Sequence, residues 1–492
     1  MDPRARVIGL VLALGGLMVT IDTTVALVAV PAIVADLDST LPAVQWVTTA
    51  YLLGVVAVIP LAGWAANRYG ARRVYVTALA VFTLASVLAG LAWDAASLTA
   101  FRVLQGLGGG LLNPVGSAIG LRAVPREARG RLMSLLGLPV VIGPVLGPPL
   151  AGWLVDDASW RWVFLVNAPI GVAAVLLCAR LLPAQPPTDR APVDWPGLGL
   201  LSGGAVLVVL GCSRIGETGS LTWTAGTALG AGVLLVAASA VRALRVPAPL
   251  VDLRLLRHRP LAAGLVVLVC FGAAYFGSLA VLPVFVQGVR GDPALLAGTL
   301  TIPMALAVGL TLQVATRLVD RVPPRRIVLT GVTLGLLGSL ALLATTTADA
   351  GYPLVVAAAV VLGIGSGATL MPTMTVAVRD LEGADTPRGT TLLSLLQQGA
   401  SAIGVAVVAT TLTVLVSARV PALAAAGEGG LAGMLALDPA ARAALAPELA
   451  AAVGGSYAVA AVLMALAALA AVVGLPRTAP APRPHRPDPL KL

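Results

Sequence analysis

Charge is scarce in this chain: Asp, Glu, Lys and Arg make up 11% of 492 residues, against 58% hydrophobic residues and a mean hydropathy of +0.96. A soluble chain of this length would divide into several domains whose residues are about 25% charged. This one cannot cover itself with charge, so lipid must be its solvent. Histidine occurs only as His258 and His485, both among arginines and prolines, which excludes a histidine-based metal site. The three cysteines, Cys178, Cys212 and Cys270, fall in apolar segments at no metal-like spacing and read as small core residues. Lys491 is the only lysine among 32 basic residues. Aromatic residues are 4% of the chain, too few for an extensive cation–π cage. Neither a catalytic cluster nor a soluble domain is visible, which argues against an enzyme or a receptor.

What the chain has in abundance is long apolar runs. A bilayer-spanning helix needs about 20 predominantly apolar residues. On that criterion spans are expected near 7–34, 44–66, 74–93, 97–121, 132–155, 163–182, 197–213, 222–241, 261–287, 295–316, 327–346, 353–378, 390–417 and 453–475. The first is too long for a cleaved signal peptide and is interrupted by Asp22. The expected architecture is an all-α membrane protein of fourteen transmembrane helices. A twelve-span arrangement without the middle pair keeps the same parity but leaves two apolar stretches unplaced.

The net charge of +10 first suggests a nucleic-acid partner, but its distribution points elsewhere. With the N-terminus cytoplasmic, 26 of the 32 basic residues fall on the inside. Five (Arg161, Arg214, Arg290, Arg419 and Arg442) fall outside, and Arg102 alone lies within a span. This is the positive-inside pattern, so the charge encodes topology and both termini are expected in the cytoplasm of an inner-membrane protein.

The chain also repeats itself. "NRYGARRV" (Asn67–Val74) follows the second span, and "DRVPPRRI" (Asp320–Ile327) follows the corresponding span of the second half. "QGLGGGLLNP" (Gln105–Pro114) is echoed by "LGIGSGATLMP" (Leu362–Pro372). Such parallel repeats around a midplane site are a common transporter plan. The expected units are a six-helix half (1–182), a middle pair with linker (183–260) and a second six-helix half (261–475). A Pro/Arg-rich tail (476–492) follows, and the loop 418–452 is expected to form short surface helices outside.

Three groups of residues stand out. Asp22 and Arg102 are the only formally charged residues deep inside spans. Such residues usually face a bundle interior and mark ion or proton pathways, although a static pair that only fixes packing is the competing reading. Burial in hydrocarbon discourages a carboxylate from ionising and a nearby guanidinium encourages it; arginine keeps its proton, so Asp22 must be the titrating member. In "GLPVVIGPVLGPPLAG", Gly137, Pro139, Gly143, Pro144, Gly147, Pro148, Pro149 and Gly152 run through a helix interior. Neighbouring helices can satisfy the backbone groups that proline frees, and the four-residue glycine spacing makes one face smooth. "GWAANRYGARRV" carries Gly63 and Gly70 for close approach and a tight turn, with Arg68, Arg72 and Arg73 pinning the loop at the interface. Asp320, Arg321, Arg325 and Arg326 hold the same places in the second copy. Polar or amphipathic residues within spans, candidates for a substrate cavity, are Gln45, Trp46, Tyr51, Gln105, Asn113, Tyr275, Gln287, Gln397 and Gln398.

In these motifs the chain resembles the major facilitator superfamily, and within it the fourteen-helix drug:proton antiporter branch. "IDTTVALVAVPAI" (Ile21–Ile33) is similar to that branch's first-helix motif and "VQWVTTAYLL" (Val44–Leu53) to its second-helix opening. "GWAANRYGARRV" is similar to the superfamily's gating loop, and "FRVLQGLGGG" (Phe101–Gly110) to its fourth-helix motif. The Gly137–Gly152 stretch resembles the antiporter motif of exporters, and "WRWVFLVNAPIG" (Trp160–Gly171) the sixth-helix opening. The resemblance implies proton-coupled export of small lipophilic drugs or antibiotics by alternating access, with Asp22 and Arg102 in proton coupling. A dedicated exporter of one endogenous metabolite is the alternative, and a proton-coupled importer a weaker one. It also implies no cofactor beyond the proton gradient, no metal, no nucleic acid and a monomer in the bilayer whose partners are protons and a small molecule. One position departs: the gating loop usually carries an acid where this chain has Asn67. Asparagine can bond a helix N-terminus but adds no charge. A weaker gate is therefore expected, with Asp320 placed to compensate.

Overall fold

The computed structural model describes residues 3–39, 41–124, 129–184, 186–187, 192–218, 222–247, 249–318, 322–379, 381, 385–421, 423, 434 and 437–475. Asp320, Arg321, the tail from 476, and the side chains of Gln45, Pro144, Pro148 and Pro149 lie outside the described residues.

Among the described residues every regular element is helical. The first half comprises α1 (Pro3–Asp36), α2 (Leu41–Val58), α3 (Leu61–Ala65), α4 (Ala71–Gly90), α5 (Ala95–Ala123), α6 (Arg129–Leu136), α7 (Leu138–Asp157), α8 (Trp162–Leu165) and α9 (Asn167–Leu181). A middle pair follows, α10 (Trp195–Thr218) and α11 (Trp223–Arg245). The second half comprises α12 (Arg259–Val284), α13 (Ala294–Leu318), α14 (Pro324–Thr345), α15 (Tyr352–Ala377), α16 (Asp385–Arg419) and α17 (Pro439–Gly474). Eleven segments among the described residues are long and apolar enough to cross a membrane. The other three expected positions hold α2, α5 and α7, so the arrangement is compatible with fourteen spans.

Three boundaries differ from the sequence expectation, each for a local reason. The stretch 61–74 is helical rather than an open loop: α3 passes through a π turn, Ala66–Gly70, directly into α4. Only Gly70, at φ 86°, breaks the path, a conformation glycine adopts without steric cost. The fifth span is cut at Gly137, where α6 ends and Pro139 enters the first turn of α7. The last helix starts at Pro439, capped by the Asp438 carboxylate accepting from Ala441 N–H at 2.8 Å. The late part of the expected 418–452 surface segment is therefore the first turns of α17.

Buried side chains form three clusters. One lies wholly in the second half, between Ala263 and Leu475. Another, containing Ile33, Val47, Leu98 and Phe164, lies wholly in the first half at the end away from the N-terminus. The third joins the halves: Tyr75, Leu121, Leu132 and Met133 pack with Leu261, Leu268, Met374, Val378 and Leu392. All of these lie toward the end where α1 begins and α3 meets α4, called here the basic end. The bundle is thus sealed at its basic end.

The middle pair flanks this bundle. Ser202 Oγ donates to Ala57 O at 2.6 Å, and α10 also packs on α16, so it bridges the two halves. Asp194, just before α10, pairs with Arg242 near the end of α11 (2.8 Å) and accepts from Gly197 N–H (3.0 Å). Burial opposes the charge on Asp194, but the Arg242 and Gly197 bonds outweigh it and hold the carboxyl below its ordinary value of 3.8. Because the folded value lies below the unfolded one, the pair's contribution is full above the ordinary value and is lost as pH falls through the folded value. The protection of α10 and α11 against hydrogen exchange, relative to the intrinsic rate at each pH, should therefore fall below pH about 4 in the wild type. Asp194→Asn should exchange fast already at neutral pH and show a flattened acid limb.

Candidate functional site: a buried acid–base cluster

Four helices of the first half converge on Asp22. Arg102 and Gln105 are three apart on α5 and so share one face. The glycines of "FRVLQGLGGG" let that face come close to α2: a Cβ at Gly106 would lie 2.2 Å from Tyr51 O, and one at Gly54 would lie 2.4 Å from Val103 O. The two backbones cross in contact, as small residues permit in a membrane. The Tyr51 ring consequently sits over the Arg102 guanidinium, 4.4 Å from its centroid.

Asp22, Arg102 and Gln105 are each fully buried. Arg102 Nη1 donates to Asp22 Oδ2 at 2.5 Å and to Gln105 Oε1 at 2.7 Å, and Nε donates to Val47 O at 3.4 Å. The other carboxylate oxygen accepts from Gln105 Nε2 (2.8 Å) and from Asn167 Nδ2 (3.0 Å). Asn167, the first residue of α9, also donates to Ser86 Oγ of α4 at 3.0 Å, and Ser86 in turn donates to Phe164 O. The carboxylate thus accepts from three side-chain donors, one on Oδ2 and two on Oδ1. Three buried polar atoms beside it have no partner among the described residues: Arg102 Nη2, the Tyr51 hydroxyl and Asn167 Oδ1. The cluster has spare hydrogen-bonding capacity for a second arrangement.

The glycine–proline helix holds α1 from its other side. A Cβ at Gly143 would lie 2.8 Å from Thr20 Cβ, and one at Gly147 2.0 Å from Thr24 Oγ1. Thr24 Oγ1 lies 3.3 Å from Gly143 O and can donate to it. Gly16 meets Pro139 in the same seam. The seam grips α1 at residues two before and two after Asp22 while the carboxylate faces α5. Gly137 belongs to a different contact, against Leu312 of the second half, and Gly152 faces open space, so packing requires no glycine there. Gly147→Val is accordingly expected to cost about 1–3 kcal/mol by overpacking. Gly152→Ala should leave the thermal midpoint of the purified protein unchanged.

The gating segment joins the halves at the basic end. A Cβ at Gly63 would press on Thr391 Oγ1 (3.0 Å) and Pro387 O (3.2 Å) of α16. Nearby, Thr390 Oγ1 reaches Pro114 O (3.3 Å), and Arg129 Nη1 donates to Arg379 O (2.8 Å). Ser134 and Gln313 exchange two bonds of 2.9 Å between α6 and α13. Asn67 is buried and accepts from Arg122 Nη2 at 3.3 Å. Arg72 donates to Ala179 O, while Arg73 and Arg326 are exposed.

The expected cavity residues separate. Tyr51 and Gln105 belong to the Asp22 cluster. Trp46 lies toward α10, its ring under Arg214 at 5.2 Å. Gln287 Nε2 reaches only Pro283 O of its own helix, at 3.5 Å. Tyr275 is buried against Phe271 and Phe276. Asn113 is exposed, and Gln397 and Gln398 are partly exposed. Sequence reasoning passed over Asn167, Ser86, Thr20 and Thr24. The signal for Asn167 was present: a lone amide opening an apolar helix.

A multi-pass helical bundle with repeated halves and a buried acid–base pair at its interior has the build of a membrane transporter. The chain belongs to the Major Facilitator Superfamily, whose family model matches residues 12–405. It is 36% identical over 408 residues to the multidrug resistance protein B homolog of Mycobacterium tuberculosis (strain ATCC 25618 / H37Rv), covering 82% of this chain and 75% of that protein. In fold it is similar to the proton:xylose symporter XylE, with TM-score 0.59, 16% identity and 94% of each chain covered. It is likewise similar to the human organic anion transporter MFSD10 (TETRAN), with TM-score 0.61, 16% identity, and 94% and 100% covered. It is a transporter rather than an enzyme.

Proposed function

We propose that the protein exports small lipophilic compounds, cationic or neutral, from the cytoplasm by proton antiport, with Asp22 as the proton carrier. The observation that carries the reading is the fully buried Asp22 carboxylate, held by Arg102, Gln105 and Asn167. The multidrug resistance name of the mycobacterial relative supports the substrate class, and the arginine distribution supports an inner-membrane protein with cytoplasmic termini.

Chemically, the cluster is a two-position switch. With Asp22 charged, Arg102 is bound to it. A proton on Asp22 removes the charge that holds the guanidinium, and the Tyr51 hydroxyl and Asn167 Oδ1, both unpartnered among the described residues, are the acceptors left beside it. Releasing α5 from α1 in this way shifts the helix that meets α16 at the basic end through Pro114 and Thr390. Proton binding is thereby connected to the contact between the halves, which is the requirement for alternating access. The structure is sealed at the basic end, so under this reading it is the outward-facing state.

The test uses inside-out vesicles holding the wild type and energised to an acidic lumen. Addition of an exported lipophilic cation or neutral antibiotic should dissipate the pH gradient. A gradient untouched by every compound that the vesicles nevertheless accumulate would overturn antiport.

A further inference from the structure

We infer that the cleft between α4 and α5 on the lipid-facing surface of the first half is a binding site for one anionic phospholipid, its headgroup on Arg73 and an acyl chain in the cleft. The groove has a volume of about 360 Å³. Its walls come from residues at helical spacing on both helices: Val74 and Val81 on α4, and Leu104 and Leu111 on α5. Its floor is low because Ala78 and Gly108 bring the two backbones together; a Cβ at Gly108 would lie 2.7 Å from Ala78 O. The face of α5 that lines it is separate from the buried face carrying Arg102 and Gln105, so the groove is no part of the acid–base cluster.

Charge complementarity identifies the occupant. The groove is lined by apolar residues apart from the Thr77 hydroxyl, and Tyr69 and Arg73 close it at the basic end. Arg72 is committed to Ala179 O, whereas Arg73 is exposed and, among the described residues, has neither a hydrogen-bond nor an ion-pair partner. Tyr69, exposed and set edge-on against Trp64 at 5.5 Å, gives the mouth the aromatic character of a membrane interface. A free guanidinium at the mouth of an apolar groove in a bilayer suits a molecule with an anionic head and a hydrocarbon tail, and basic pockets between transmembrane helices bind such headgroups. Zwitterionic lipid would fill the groove equally well but offers no net charge to Arg73.

Native mass spectrometry of the full-length protein, extracted from vesicles of equal phosphatidylglycerol and phosphatidylcholine, tests this. The repeat supplies the control, because Arg326 occupies in "DRVPPRRI" the place Arg73 has in "NRYGARRV". The wild type should retain one phosphatidylglycerol in preference to phosphatidylcholine. Arg73→Gln should lower that preference about fivefold, the effect of one interfacial arginine. Arg326→Gln should leave it as in the wild type, and Leu107→Trp, which fills the groove, should lower retention of both lipids. Equal retention of the two lipids by the wild type, or equal losses in the Arg73 and Arg326 variants, would overturn the site.

Discussion

Asp22→Asn is expected to abolish concentrative transport while leaving passive exchange intact. A pH difference of one unit supplies about 1.4 kcal/mol per proton, enough for roughly tenfold accumulation of an exchanged neutral compound at one proton per cycle. Wild-type inside-out vesicles should approach that ratio, and the variant should stay near unity. The amide can still accept from Gln105 and Asn167 through its oxygen, and, like a protonated carboxyl, it no longer holds the Arg102 guanidinium, so the variant mimics the protonated state. Substrate counterflow without a gradient should therefore persist at a comparable rate. Accumulation by the variant at the wild-type ratio would leave Asp22 as a packing residue paired with Arg102.

Arg102→Ala is expected to have the largest effect on stability. Arg102 is fully buried, and its guanidinium holds Asp22, Gln105 and Val47 O together beneath the Tyr51 ring. Removing it leaves an uncompensated carboxylate in a fully buried site, a loss of about 3–5 kcal/mol for a buried pair broken on one side. Combining Arg102→Gln with Asp22→Asn removes both charges and should recover most of that loss. Denaturant unfolding of the three proteins measures the difference. Equal stability of Arg102→Ala and wild type would mean that the pair contributes nothing to holding α1, α2 and α5 together.

Much of the site was legible because lipid makes polar residues conspicuous. Asp22 and Arg102 stand out in apolar runs, and only a partner across the bundle makes either tolerable. The same logic applies to Asn167 and Ser86, but a neutral amide or hydroxyl in a span is common enough that spacing alone does not single it out. Their role appears only when α4 and α9 are placed beside α1. The smooth face of the glycine–proline helix was equally readable, though its counterparts, Thr20 and Thr24, were not, since hydroxyls that bond their own helix carry no periodic signature. Boundaries fared worst where helices continue through turns. The π turn at Ala66–Gly70 keeps a segment helical that reads as a loop from its arginines, and α17 begins well before its apolar core. Trp46 and Gln287, polar or amphipathic in the middle of spans, turned out to face a neighbouring helix and their own backbone.

The gating segment adds a point about the halves. Among the described residues, the contacts between the halves at the basic end include neutral acceptors: Pro114 O, Arg379 O, and the Ser134–Gln313 pair.

The measurement that tests the central claim most directly is proton release on substrate binding by purified protein in weakly buffered solution near neutral pH. A lipophilic compound active in the vesicle assay is added to the wild type and to Asp22→Asn, and the pH change is read with a dye. Proton release on binding is expected in the wild type and none in the variant. An equal proton change in both proteins would contradict it.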